Sequence, residues 1–206
     1  MGSRARFFSK LNLDNYVQSS SLDNYVQESE ATVANLANTT ISSLSSGDIL
    51  YYNGSNWINK SPVILKLNCV DNANINDTTT WTNRAIIDTS AAINEGGFTF
   101  DSSSITVPED GIYRCSFNFY IVEPGVDIRM NPGARWVING TLQNEISGCS
   151  YIRAGSGHQT SSLHMTTIFD LSANDVLKIY WAQLGATGTS VYIEGSNSGI
   201  NIEKIN

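Results

Sequence analysis

The residues of this chain best suited to chemistry are few and scattered. His158 lies inside the Gly- and Ser-rich stretch AGSGHQ, and His164 falls on the polar side of an alternating run. Cys69, Cys115 and Cys149 are an odd number at wide spacings. Metal sites and catalytic triads need several ligands or bases to converge, and no spacing here brings such groups together. The odd count is no disulfide framework, so the thiols read as buried free groups that behave as small hydrophobes. Glu109 and Asp110 sit between Pro108 and Gly111, where they favour a turn. Glycosidase carboxylates instead come from separate elements flanking the sugar. No G-x-S-x-G elbow surrounds any serine. AGSGHQ also lacks the lysine and following helix of a phosphate loop. The residue types therefore point to no catalytic group, no metal and no cofactor.

Composition narrows the class. In 206 residues, 41% are hydrophobic and only 15% charged, with Ser, Thr, Asn and Gly abundant. That suits a β-rich surface kept soluble by neutral polar groups, large enough for one domain plus an appendage. No apolar run approaches the ~18 residues of a membrane-spanning helix. The start, MGSRARFFSKL, has no apolar core of a signal peptide. A net charge of −7 argues against a nucleic-acid partner, which calls for a basic patch. Protein and sugar partners remain open.

The elements that must position any functional group are organised around ITVPEDGIYRCSFNFYIV, residues 105–122. Tyr113, Cys115, Phe117, Phe119 and Ile121 alternate with Arg114, Ser116 and Asn118, the period of a strand with one face in a core. Pro108 marks the strand's beginning, because it cannot donate to a ladder.

Upstream, charge is uneven. Arg4, Arg6 and Lys10 stand beside Phe7 and Phe8, and only acids follow from Asp14 to Asp48. A basic-aromatic tip (residues 1–12) ahead of an acidic segment reads either as a docking peptide that orders on a partner or as a disordered terminus. LDNYVQ then occurs twice, at residues 13–18 and 22–27. Leu22, Val26, Val33 and Leu36 keep three- and four-residue steps with Ser29 in register, a narrow helical seam. So thin a stripe buries little unless several chains pack as a coiled coil, which makes residues 13–46 a stalk ending in the Ser/Thr-rich linker 38–46. In GDILYYNGSNWINKSP, residues 47–62, two apolar runs flank Asn53-Gly54, a strong hairpin signal. A lone hairpin is marginal in water, so this neck also asks for neighbours.

The block GDILYYNGSNWINK resembles the hairpin repeat of bacteriophage fibre proteins, which often precedes a C-terminal head. The SRAR start resembles the virion-anchoring segment of some marine phage fibres. These likenesses imply a short fibre docked on a virion through Arg4, Arg6, Phe7, Phe8 and Lys10.

In residues 63–206 helical periodicity is absent. Strands are expected at 63–67, around 85–87, at 98–100, and along the central run. More follow at 135–139, 143–152, 162–171, 176–183, 191–194 and 199–205. Residues 71–95 read as a long polar loop with one short strand. Many short strands joined by turns make an all-β sandwich or barrel. Tyr120 and Ile168 interrupt otherwise polar outward faces, as at a subunit interface. Tyr151 and Trp136 near strand ends could stack on sugar rings, with Arg129, Arg135 and Arg153 as donors. The plainer alternative, which the pattern favours, puts Trp136 in the core and leaves the arginines solvated.

The order of motifs resembles the tumour necrosis factor and complement globular-head superfamily. ITVPEDGIYRCSFNFY matches its F-x-V-P-x-D-G-x-Y entry into a long central strand. RWVINGT resembles its strand ending in Asn-Gly, FDLSANDVLKIYW its L-x-x-G-D-x-V strand-turn-strand, and SGINIEKI its closing strand. Asn174 stands where that family has Gly, and residues 71–95 lack its usual anchors. The resemblance implies a ten-stranded jelly-roll β-sandwich that forms a homotrimer. The resulting expectation is a short trimeric virion fibre, on the capsid or the tail, whose head attaches to a host-surface glycan or protein. A capsid decoration protein, and a secreted lectin-like or cytokine-like module, are the alternatives. A depolymerase is disfavoured, because no opposed acidic pair or long β-helix pattern is visible.

Overall fold

The computed structural model describes residues 39–43, 45–75, 80–125, 128–154, 158–185 and 191–205, and the chain divides into two compact units at Lys60/Ser61. The tip residues Arg4, Arg6, Phe7, Phe8 and Lys10 and the seam residues Leu22, Val26, Val33 and Leu36 lie outside the described residues.

In the first unit, β1 (Thr39–Thr40), β2 (Ile49–Tyr52) and β3 (Trp57–Lys60) form one sheet in the order β1-β3-β2. The β2–β3 hairpin is the one expected, closed by a loop in which Gly54 takes φ +97°. Asn53 organises that loop by accepting the backbone N–H groups of Ser55 and Asn56 at 3.0 and 2.8 Å. Thr39–Thr40, expected as linker, instead runs parallel to β3. The Asn59 amide holds the intervening segment, donating to Ser42 O and Asp48 Oδ2 and accepting Ser42 N–H.

The second unit opens with β4 (Ile64–Cys69), β5 (Ala73–Asn74), β6 (Thr82–Asn83), β7 (Ile87–Glu95), β8 (Thr99–Phe100) and β9 (Ile105–Thr106). It continues through β10 (Gly111–Val122), β11 (Ile128–Met130), β12 (Pro132–Ile138), β13 (Thr141–Cys149) and β14 (Ile152–Ala154). It closes with β15 (Thr160–Leu171), β16 (Val176–Gln183), β17 (Tyr192–Ile193) and β18 (Gly199–Lys204). Pairing is antiparallel throughout. One layer runs β7-β4-β18-β10-β15, prolonged at one end by β5 and β17; the other runs β13-β12-β16-β9-β8, flanked by β6. After β9 the chain passes to β10 in the first layer, to the β12–β13 hairpin in the second, back to β15 in the first, to β16 in the second and to β17 and β18 in the first, the layer-crossing pattern of a jelly roll.

β10 is the central strand, as its alternation requires. It pairs with β15 from Gly111↔Leu171 to Val122↔Thr160, and its other edge is taken by β18 and β17. Tyr113, Cys115, Phe117, Phe119 and Ile121 are wholly buried. Across the interior, Phe119 meets Trp181 at 4.9 Å between ring centroids and Phe117 meets Trp136 at 5.6 Å. Burial of each such ring contributes roughly 1.5–3 kcal/mol. The interior void beside Trp136 is about 10 Å³, at the limit for a single water and too small for a ligand.

The turns follow their residues. Asn139 and Gly140 both take positive φ, 50° and 80°, closing β12 onto β13 as a two-residue hairpin. The Asn139 side chain then donates to Asp175 Oδ1 and accepts Val176 N–H, joining this hairpin to the β15–β16 turn. Asn174 adopts φ +71°, so asparagine fills the left-handed position where the resembling family has glycine. Glu109 and Asp110 act as turn residues: Glu109 binds Lys204 Nζ at 2.7 Å, and Asp110 Oδ1 accepts Ala173 N–H at 2.8 Å.

Two further expectations are corrected. Residues 88–95, read as loop, belong to β7, an edge strand held to β4 by main-chain pairing, with a register shift near Leu67. An edge strand whose side chains stay largely in water carries little hydrophobic signal. Cys149 is exposed, whereas Cys69 and Cys115 are buried as expected.

Replacing Trp136 with Ala should lower head stability by about 3–5 kcal/mol, because the remaining cavity is bounded by both layers. Denaturant unfolding of the variant checks this.

Candidate functional site: the outer face of β11 and β12

The register of the second layer shows that β11–β14 and β12–β13 are one ladder. Met130↔Ile152 continues, without a slipped residue, to Gly133↔Cys149, bridged by the bond from Ser150 N to Pro132 O. Pro132 is tolerated because it opens β12. Met130, Pro132, Ala134 and Trp136 face the core, so Arg129, Asn131, Gly133 and Arg135 face outward in a row. At ~3.3 Å per residue the row spans about 20 Å.

Neighbouring strands extend it into a grid. Arg129 stands directly opposite Arg153. Asn131 faces Tyr151 on one side, by continuation of the register, and Leu184 on the other, whose N–H it accepts. Gly133 lies between Cys149 and Ala182, and Arg135 is beside Tyr180, itself opposite Asn83. Small Gly133 and Ala182 make a floor over which larger groups close. A Cβ on Gly133 would come within 2.7 Å of Leu184 Cδ1 and 3.4 Å of Trp81 Cη2. The Trp81 ring in turn stacks on the Arg135 guanidinium, 4.4 Å from the centroid. That cation–π contact holds both groups in place. Tyr151 is 52% exposed and Leu184 48%.

Four of the five ligand candidates, Arg129, Arg135, Tyr151 and Arg153, therefore meet on one ribbon. Trp136 does not; it is wholly buried against Phe117 and Phe169, and its nomination is corrected. Its place on the strand is even-numbered, the inward phase, while the arginines are odd. Trp81 and Leu184 went unrecognised because their partners are remote in sequence. The even spacing of Arg129, Asn131, Gly133 and Arg135 was a usable signal, masked by Pro132-Gly133, which reads as a breaker.

Tyr120 and Ile168 lie on the outer face of the other layer, Tyr120 half-buried and Ile168 58% exposed. They share that face but not a patch, since Tyr120 pairs with Ser162, six residues or about 20 Å from Ile168. Ile168 adjoins Arg114, which pairs with Glu203 at 3.1 Å. Among the described residues no group of three or more His, Cys, Asp or Glu could hold a metal ion. His164 Nε2 lies 3.2 Å from Thr166 Oγ1, and His158 is exposed. Burial pushes the Cys69 and Cys115 thiols up to about 12, which makes them unreactive at neutral pH.

Fold and surface define an all-β jelly-roll domain preceded by a small strand neck. No family model matches the chain, and no curated protein is detectably similar to it. Among solved structures it is similar to murine APRIL. The crystal structures at pH 5.0, 8.0 and 8.5 give TM-scores of 0.44, 0.47 and 0.46 at 12%, 12% and 13% identity. Each covers 70% of this chain and 100% of the APRIL chain. The jelly-roll assignment rests on the strand order itself.

A thiol reagent such as dithionitrobenzoate should label one cysteine per chain in the native protein, Cys149, and three after unfolding. Labelling of two or three before unfolding would contradict the burial of Cys69 and Cys115.

Proposed function

We infer that this chain is the protomer of a short self-associating fibre, placed on a virion, whose jelly-roll head serves attachment. The observation that carries the reading is the neck sheet. Ile49, Leu50, Tyr51 and Tyr52 are all exposed, at 39–51%, although neighbours along a strand point to opposite faces. Leu50, Tyr52 and Trp57 share one face, while Ile49, Tyr51 and Ile58 share the other. β2 is also the edge of its sheet, and among the described residues of this unit none is buried. An apolar edge strand wet on both faces is an aggregation hazard for a lone chain. Packing against copies of itself removes the hazard, and a homotrimer is the expected number. Ile168, exposed on the head, adds a second apolar site for self-contact. The virion setting rests on the fibre-like resemblance of GDILYYNGSNWINK and of the SRAR start.

Sedimentation equilibrium of the full chain should give three protomers, and Leu50→Glu with Tyr51→Glu should shift it toward single chains. Deleting residues 1–12 should leave the oligomer intact but abolish incorporation into particles. A wild-type monomer at micromolar concentration would sink the reading.

A further inference from the structure

We propose that the outer face of β11 and β12 is a binding site for an acidic glycan. Arg129 and Arg153 hold its anionic groups at one end, while its sugar rings lie along Tyr151 and Leu184 toward Trp81. The choice of a surface polysaccharide as occupant rests on the attachment reading above.

Charge is the first argument. Like charges directly opposite each other across a strand pair repel, and Arg129↔Arg153 is such a pair. Both residues are exposed, and among the described residues neither has an acidic partner. The chain holds 19 acids against 12 bases, so carboxylates to neutralise them were plentiful. None of the described side chains on this grid is acidic. An anion bridging two guanidinium forks turns the repulsion into two charge-assisted interactions.

The second argument is what lies beside the Arg129–Arg153 pair. Tyr151, Leu184 and the Trp81 ring make an apolar surface between Arg129 and Arg135, floored by Gly133 and Ala182. Sugar rings present C–H faces that stack on such groups, while their carboxylates or sulfates seek arginine. A nucleic acid would need a broader basic surface than a chain of net charge −7 offers here. A row about 20 Å long suits several successive units of an extended polymer better than a single small anion.

The test uses the full chain on immobilised polygalacturonate and dextran sulfate, which distinguish carboxylate from sulfate, with neutral dextran and polyuridylate as controls. Retention on at least one acidic polysaccharide, and not on dextran, is expected, weakening as salt rises. Arg129→Ala with Arg153→Ala should weaken it about tenfold or more. Tyr151→Ala should weaken binding several-fold without removing its salt dependence. All three positions are exposed, and an unchanged unfolding curve confirms that the variants fold. Failure to bind either acidic polysaccharide, undiminished binding by the double variant, or equal binding to polyuridylate would each overturn the proposal. Sedimentation on the same samples separates the two readings. An oligomer that does not bind loses only the glycan site, and a monomer that binds loses only the fibre.

Discussion

The structure depends on one strand being bonded along both edges while it buries an aromatic face. β10 has β15 on one side through all twelve residues and β18 with β17 on the other. Its inward groups, Phe117 and Phe119, touch Trp136 and Trp181 of the opposite layer. Those contacts fix the phase of β12 and β16: Trp136 inward means Arg135 outward, and Trp181 inward means Tyr180 and Ala182 outward. The surface grid is thus set from the core. A one-residue slip in either strand would bury the arginines and expose the indoles.

The same constraint explains what could be read in the sequence. The central strand was legible because every second residue leaves water entirely and gains stability only if it is apolar, so alternation in type mirrors alternation in burial. Asn139-Gly140 was legible because few residues tolerate positive φ, whereas Asn174 stood out only as a departure from the family's Gly. β7 was not, because an edge strand is held by main-chain bonds that leave no mark on side-chain type. β11 was hidden behind Pro132-Gly133. The site was half legible: Arg129, Tyr151 and Arg153 stood out as polar and aromatic groups at strand ends. The role of Trp81 depended on lying over Gly133 and Arg135, more than fifty residues away along the chain.

Burial also divides the cysteines by use. Cys115 fills a position on the wholly buried face of β10, and Cys69 lies inward on β4, where desolvation keeps the thiols protonated. Cys149 faces out beside Gly133. Tyr113 shows the same economy: its ring is buried against Phe98 while its hydroxyl donates to Glu109 O at 2.8 Å. Burial and then the Glu109 charge push its phenol up to about 12, so the hydroxyl remains a donor across the physiological range.

Native-state hydrogen exchange along Gly111–Val122 tests most directly whether β10 holds the head together. Its amides, bonded to strands on both edges, should exchange last in the domain and only through global unfolding, while those of the edge strand β7 exchange by local opening. Exchange in β10 as fast as in β7, at a free energy below that of global unfolding, would contradict the account.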